Sequence, residues 1–486
     1  MKVLFHILAF GLFFTVLESA AQQPNVLFIC IDDLRPDLGC YGHDLVQSPN
    51  IDGVAEAGAL FKNHYVTVPT CGASRYGLLT GMLPRRAAEL SNHIMAKELS
   101  IKPEVDRPES FVHHLRRSGY YTVGIGKISH SADGLVYGYE EEPSTQWELP
   151  HSWDERLFDS GKWGNGWNAF FGYADGTNRQ GRKKQVKPYE AGMVEDDGYP
   201  DGLTANLAIE KISELADREE PFFLGVGFFK PHLPFTAPKK YWDLYDRNEI
   251  GVSPTPGIPS NVHRASLQNN GEFNHYQLGE EKASLDQDLS DDYARKLRHA
   301  YYACISYTDA QVGRILQALE DQGLTDNTII VIWGDHGWHL GDYRVWGKHT
   351  VFERAVKSAL IVKVPGATTQ HIEEIVSTVD IYPTLMGLCN MDMPYQGDGS
   401  SLEKLMATGS DQNWRNMAFS YFRKGISMRT PAYRLTKYYR DEEPKVELYD
   451  HVSHRFEREN IAAKSTKIVK SLTPAFDTGR TGIFEE

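Results

Sequence analysis

Asp32-Asp33, Asp335-His336, Lys127, His130 and His232 each stand just beyond an apolar run of this chain. The runs are residues 25–31, 328–333, 121–125 and 222–227. Carboxylates are hard oxygen ligands suited to Ca²⁺ or Mg²⁺. Asp32, Asp33 and Asp335 can supply such ligands, and His336 can complete the shell through a ring nitrogen. Taken singly, each has a plainer reading: an Asp-Asp pair is also a turn or a helix cap, and a histidine is also a hydrogen-bonded core residue. Their shared placement carries the argument, because sites in open α/β sheets form at the carboxyl ends of strands.

A second group is Cys71-Gly72-Ala73-Ser74-Arg75, followed by Leu79-Thr80-Gly81. A cysteine beside an arginine can act as a low-pKa thiolate nucleophile. The string also resembles the maturation signature of the sulfatase family, Cys-x-(Pro/Ala)-x-Arg with a downstream Thr-Gly. The resemblance runs over nearly the whole chain: NVLFICIDDLRPDLGCYG as opening strand and metal loop, GKISH at Lys127 and His130, FFKPHLPF at His232, GDHGWHLGDYRVWGKHTVFE at Asp335, His336 and Lys348, and ELYDHVSHRFEREN near the C-terminus. The Asp-His form at 335–336 is most similar to the iduronate-2-sulfatase-like members and their bacterial polysaccharide-degrading relatives.

That resemblance implies a mechanism. Cys71 is converted by a maturation enzyme to formylglycine (3-oxoalanine). One divalent ion, Ca²⁺ rather than Mg²⁺, is held by Asp32, Asp33, residue 71, Asp335 and His336. One hydroxyl of the aldehyde hydrate attacks sulfur while Arg75 holds the hydrate. Lys127 and Lys348 neutralise the sulfate oxygens. His232, aided by Lys348, protonates the departing sugar oxygen, and His130 deprotonates the second hydroxyl so that sulfate is expelled. The implied substrate is a sulfated, uronic-acid-containing polysaccharide or its oligosaccharides, of the ulvan or glycosaminoglycan kind. Two alternatives stand beside it: a phosphomonoester or phosphonate hydrolase of the same superfamily, and a catalytically silent glycan-binding homologue with unmodified Cys71.

Some positions depart from the pattern. Ala73 replaces the commoner proline. Asp342-Tyr343-Arg344 replaces the Glu-His-Gly of iduronate-type relatives in a loop expected to border the substrate, where Arg344 either meets an anionic sugar or lies on the surface. The basic run 179–187, RQGRKKQVK, either guides a sulfated glycan or is a solvated loop. Lys230 and His349 read as structural neighbours of matched positions.

The elements that must position these residues are legible as well. Runs 25–31, 121–125, 222–227, 328–333 and 359–364 suit strands buried on both faces of a parallel sheet. A helix is expected from about Asp291 to Gln322, capped by Ser290 and stopped by Gly323. Leu297, Tyr301, Cys304, Val312, Ile315 and Leu319 share its buried stripe. Alternation of the two patterns predicts a layered α/β domain. The family resemblance refines this to an alkaline-phosphatase-like fold: a large, mixed, mostly parallel sheet flanked by helices, with a smaller C-terminal α+β subdomain containing an antiparallel sheet. The division expected is a leader at 1–21, a catalytic domain at 22–408 and the subdomain at 409–486. Segments 140–202 and 251–289 read as long surface excursions.

Composition bounds the rest. Of 486 residues, 41% are hydrophobic and 24% charged, an ordinary globular balance. The net charge of −14 argues against nucleic acid as a partner. Lys2, the apolar stretch from Val3 to Val16 and the small residues Ser19-Ala20-Ala21 read as a cleaved signal peptide, which implies a secreted or periplasmic protein with no transmembrane segment. Five cysteines make neither a disulfide framework nor a zinc site, and the odd count leaves at least one thiol outside any intramolecular pair. The sequence leaves the oligomeric state open.

Overall fold

The apolar runs assemble into one nine-stranded sheet. In the computed structural model, which describes residues 23–100 and 108–484, its strands are β1 (Asn25–Ile31), β2 (Ala59–Tyr65), β3 (Tyr121–Gly126), β4 (Glu155–Leu157), β5 (Phe222–Phe228), β6 (Thr328–Gly334), β7 (Lys357–Ser358), β8 (Leu360–Lys363) and β9 (Gln370–Ser377). Segment 1–21, read above as a signal peptide, lies outside the described residues. β6, β1, β5 and β3 stand side by side, all parallel. Their carboxyl ends therefore meet at one edge of the sheet.

β1 is buried throughout, yet its side chains still divide by the period of two that a strand imposes. Leu27, Ile29 and Ile31 enter one hydrophobic cluster together with Leu224, Val226, Ile330 and Ile332. Val26, Phe28 and Cys30 enter the cluster on the other face with Phe223, Ile329 and Val331. Burying a side chain of this size contributes about 1.5–3 kcal/mol, so a one-residue slip would exchange the two layers wholesale.

Helices cover both faces. Helix α1 (Cys71–Thr80) is buried along its whole length. Helix α2 (Asp291–Asp321) lies on the opposite face. Its first turn is capped as the sequence predicts, since the Ser290 side chain accepts from the Tyr293 N–H at 3.3 Å. Its six predicted stripe residues are all in the core cluster of that face. Gly323 follows with φ +67°, the left-handed conformation that ends a helix cheaply in glycine.

Three expectations need correction. The run 359–364 forms β8, but β8 is antiparallel to both β6 and β2, because a continuous apolar run reports burial and not strand direction. β2 and β9 escape the sequence reading because Lys62, Asn63, Glu373 and Glu374 interrupt their apolar pattern. Segments 140–202 and 251–289 are not mere surface excursions. The first supplies β4 and buries Trp163, Trp167, Phe170 and Phe171 in a satellite cluster with Phe229, and the second buries Gln268, Asn270 and Phe273. The tryptophans and phenylalanines of 140–202 supply the apolar area that a solvated loop would lack.

The C-terminal strings form β10 (Ala418–Phe422), β11 (Gly425–Arg429), β12 (Tyr433–Tyr438) and β13 (Lys445–Asp450), an antiparallel meander. Helix α3 (Thr466–Asp477) packs on it through Phe476. All five cysteines are free. Among the described residues, no helix is long and apolar enough to cross a membrane.

Candidate active site

Strand register brings the acids together. Ile31 of β1 stands opposite Gly334 of β6, so the next residues, Asp32 and Asp335, leave adjacent strands side by side. The Asp33 N–H donates to Asp335 Oδ1 at 2.9 Å. Asp33 itself sits at φ +61°, a strained turn, with its carboxylate beside His336 and Lys348. On the other side of β1, Gly227 of β5 stands opposite Gly126 of β3, which brings Lys127 to the same edge. A Cβ at Gly227 would lie 2.1 Å from the Lys127 carbonyl oxygen, so this close approach requires glycine.

Helix α1 delivers the second group. Cys71 and Arg75 are four residues apart and so share one helical face. Gly72 is pinned by its N–H, which donates to Asn92 Oδ1 at 2.8 Å, and a Cβ there would lie 2.2 Å from the Asn92 carbonyl oxygen. Arg75 is wholly buried. Its Nε and one terminal nitrogen each lie 3.0 Å from Asp335 Oδ2, the latter also 3.7 Å from Asp32 Oδ1. The other terminal nitrogen donates to the carbonyls of Lys127 and Ile128.

One ligand atom each from Asp32, Cys71, Asp335 and His336 falls within a 4.8 Å group. His336 Nε2 lies 3.2 Å from Cys71 Sγ and its Nδ1 3.3 Å from Asp33 Oδ1. Asp32 Oδ1 is buried with no hydrogen-bond partner. Burial pushes Asp33 well above the usual carboxylate range, although Lys348 and His336 oppose it. Burial and then Asp32 raise Asp335. Asp32 is held well below that range: burial is outweighed by Lys127, His232 and Arg75. Three carboxylates in one dry pocket resist joint ionisation, and the hard-oxygen and imidazole donor set suits a divalent cation. The residues fit such an ion.

The cations and histidines ring this group. Lys127 Nζ contacts Asp32 Oδ2 and lies 4.4 Å from the Phe170 ring centre. Lys348 Nζ lies 2.9 Å from Asp33 Oδ1 and 3.2 Å from Glu272 Oε1. Burial and then Lys127 hold His130 well below its ordinary value. Its Nδ1 is without a partner, and its Nε2 meets the Tyr139 hydroxyl at 3.3 Å. A neutral imidazole with a free nitrogen can accept a proton. Burial and then Asp32 push the Cys71 thiol up to about 12, so the unmodified side chain is a poor nucleophile.

All the sequence-derived site residues thus meet at one sheet edge. Cys71, Lys127, His130, His232 and Lys348 line a cavity of about 1180 Å³, larger than the usual small-molecule pocket. From the basic run, Arg179, Lys183 and Lys184 also line it. Arg344 does not: it pairs with Asp288 at 3.0 Å outside this cavity. Asp342 and Tyr343 are buried, Asp342 against Arg35 at 3.2 Å. The loop expected to border the substrate is therefore structural. Lys230 is structural as well. Its Nζ donates to the carbonyls of His232 and Pro234, and Asp201 accepts from the Phe229 and Lys230 N–H groups at 2.8 Å each, so the His232 turn is clamped. His349 lines the cavity and stacks on Phe422.

Sequence reasoning missed Glu272, Asn92, Tyr139 and Arg423, which also line the cavity. Glu272 follows no strand and sits in a polar stretch, so neither periodicity nor spacing marks it.

Comparison with known proteins agrees with this geometry. Residues 24–391 match the sulfatase family model, and residues 341–479 match the C-terminal model of N-sulphoglucosamine sulphohydrolase. The chain belongs to the sulfatase family, whose members act on sulfate esters. It is accordingly a sulfuric ester hydrolase of the alkaline-phosphatase-like fold. Iduronate 2-sulfatase of Mus musculus is 30% identical over 433 residues, covering 80% of this chain and 73% of the relative. An ulvan-active sulfatase of Formosa agariphila is 25% identical over 465 residues, covering 92% and 78%. The phosphonate monoester hydrolase of Agrobacterium radiobacter shares the fold, with a TM-score of 0.74 at 24% identity over 94% of this chain and 95% of that one.

Proposed function

We propose that this chain is a secreted or periplasmic enzyme that removes sulfate from a sulfated, uronic-acid-containing polysaccharide or its oligosaccharides. Its nucleophile is formylglycine made from Cys71. The observation that carries the reading is the meeting of Cys71 with Asp32, Asp335 and His336 in one buried cluster, beneath a cavity large enough for sugars. The relatives named for iduronate and ulvan support the substrate class, as do Arg179, Lys183, Lys184 and Arg423 on the cavity wall. These put cations on the cavity wall of an acidic protein, beside the carboxylates of Glu140, Glu141 and Glu142. The leader-like segment 1–21 supports export.

Asp32, Asp33, Asp335, His336 and residue 71 would hold the divalent ion, calcium in preference to magnesium, which would supply Lewis acidity and lower the pKa of a bound hydroxyl. The aldehyde hydrate at residue 71 would supply one hydroxyl to attack sulfur and a second whose deprotonation expels sulfate. Arg75 fixes Asp335 and the turn after β3 through its guanidinium, which holds α1 and residue 71 in register with the acids. Lys127 and Lys348 both line the cavity and neutralise charge on sulfate oxygens, a stabilisation that acts strongly where water is excluded. His130, neutral and with a free nitrogen, accepts the proton of the second hydroxyl. His232 protonates the departing sugar oxygen.

The test is desulfation of a panel of defined sulfated oligosaccharides, with product positions read by NMR, beside paired aryl sulfate and aryl phosphate. The reading requires release of sulfate from uronate-containing members and faster turnover of the aryl sulfate. Preference for the phosphate ester would shift the assignment to a phosphoester or phosphonate hydrolase. Binding without turnover by protein carrying unmodified Cys71 would make it a silent glycan binder.

A further inference from the structure

A second cavity, of about 560 Å³, opens between the β2–β7 edge of the main sheet and the C-terminal meander, and none of its lining residues lines the Cys71 cavity. Its cations come from five parts of the fold: Arg35 after β1, Lys62 of β2, Arg298 of α2, Arg354 and Lys357 at β7, and Arg429 and Arg455 of the C-terminal region. Only three carboxylates line it, those of Asp37, Glu353 and Glu373. In a chain of net charge −14, such a cationic hollow runs against the field of the whole protein.

The pairing inside it is incomplete. Arg35 is matched by Asp37 at 3.0 Å and by Asp342 at 3.2 Å, Arg354 by Asp342 at 3.4 Å, and Arg429 by Glu353 at 3.2 Å. Among the described residues no carboxylate forms an ion pair with Lys62, Arg298, Lys357 or Arg455. Lys62 and Lys357 instead donate to neutral oxygens, of Cys40 and Asn63. Arg298 is 7% exposed. Its terminal nitrogens meet the Tyr302 hydroxyl and the Leu340 carbonyl, while its Nε is buried without a partner. A buried guanidinium with a spare donor and no direct ion pair, its charge met only at longer range by Asp37 and Asp342, is costly, and a planar donor fork matches an oxyanion.

We propose that this crevice is a second binding site, for sulfate groups either free in solution or carried on a sugar chain. The volume admits more than one sugar unit, and the cations sit both in the interior (Arg298) and at the rim (Lys62, Arg455), as a ligand with spaced negative charges requires. The proposal stands apart from the assignment of the Cys71 cavity.

The test is isothermal titration of the full chain, carrying Cys71→Ala to prevent turnover, with inorganic sulfate and separately with a heparin-derived hexasaccharide. The hexasaccharide is expected to fill two classes of site. Combined Lys62→Glu and Arg455→Glu should weaken one class by roughly tenfold and leave the other. In the Cys71-intact chain the same pair should leave aryl sulfate turnover at the parental rate. Competition by inorganic sulfate for the weakened class identifies free sulfate as a ligand; binding of the hexasaccharide alone identifies the chain-borne group. Arg298→Gln should abolish the same class, and the rim pair decides the matter if that variant fails to fold. Hexasaccharide binding that the rim reversal leaves unchanged, whether in one class of site or two, overturns the proposal. Absence of aryl sulfate turnover in the Cys71-intact parent would instead count against the proposed function, leaving the binding result intact.

Discussion

His232 Nε2 lies 3.1 Å from Glu272 Oε1, while its Nδ1 lies 2.6 Å from the Leu233 carbonyl oxygen. A carbonyl only accepts, so Nδ1 carries a hydrogen. The contact at Nε2 is then attractive only with a second proton between imidazole and carboxylate. Glu272 is held well below the usual range, burial being outweighed by Lys348 and His232. Burial and then Lys348 push His232 down to about 3, with Asp32 and Glu272 opposing the shift, so Glu272 beside Nε2 is the group that supports the imidazolium, the form a general acid needs, against its burial. Glu272→Gln is predicted to lower kcat roughly 10²-fold on a substrate with a poor leaving group. An aryl sulfate with an acidic phenol, which needs no proton, should lose far less. Equal loss on both substrates would remove His232–Glu272 from the proton path.

In saturating Ca²⁺, with Asp32, Asp33, Asp335 and His336 still present to hold the ion, Cys71→Ala is predicted to leave thermal unfolding nearly unchanged and to abolish sulfate release. The side chain is small and α1 is held by its own packing, so the cost in stability is that of one small buried group. Sulfate release at the parental rate would exclude residue 71 as nucleophile.

Chelation with EGTA is predicted to abolish turnover and to lower Tm, and added Ca²⁺ is predicted to restore both. A ligand that binds only the folded state at a hundred times its Kd adds about 2.7 kcal/mol. An unchanged Tm and rate after exhaustive chelation would exclude the ion.

His64 offers a pH test away from the reaction. Burial pushes it down to about 3, and its ring nitrogens meet Thr378 Oγ1 and the Ser358 carbonyl. The unfolded chain takes up this proton near 6.5 and the folded chain does not. Stability is therefore whole above about pH 6.5 and falls by about 1.4 kcal/mol per unit as the pH drops from there toward 3. His64→Gln should flatten that slope by about one proton. An unaltered slope would show that His64 titrates normally in the fold.

Much of this arrangement was legible because β1, β3, β5 and β6 are continuous apolar runs, and residues just past a buried strand of a parallel sheet land at its carboxyl edge. Asp32, Lys127, His232 and Asp335 were found that way. The Cys71 string needed the family resemblance, since helix α1 is buried all round and has no amphipathic signature. Glu272, Tyr139 and Arg423 reach the cavity from a single helical turn, a loop and a meander turn, whose paths are set by tertiary packing. Arg344 illustrates the converse: a basic residue in a family-matching string that the fold turns toward Asp288.

Mass spectrometry of the peptide carrying residue 71, taken from protein produced with its maturation enzyme, tests the central claim most directly. The account predicts a peptide that has lost sulfur, carries an aldehyde reactive toward hydrazide, and appears in proportion to specific activity. Fully active protein whose residue 71 is an intact cysteine would contradict it.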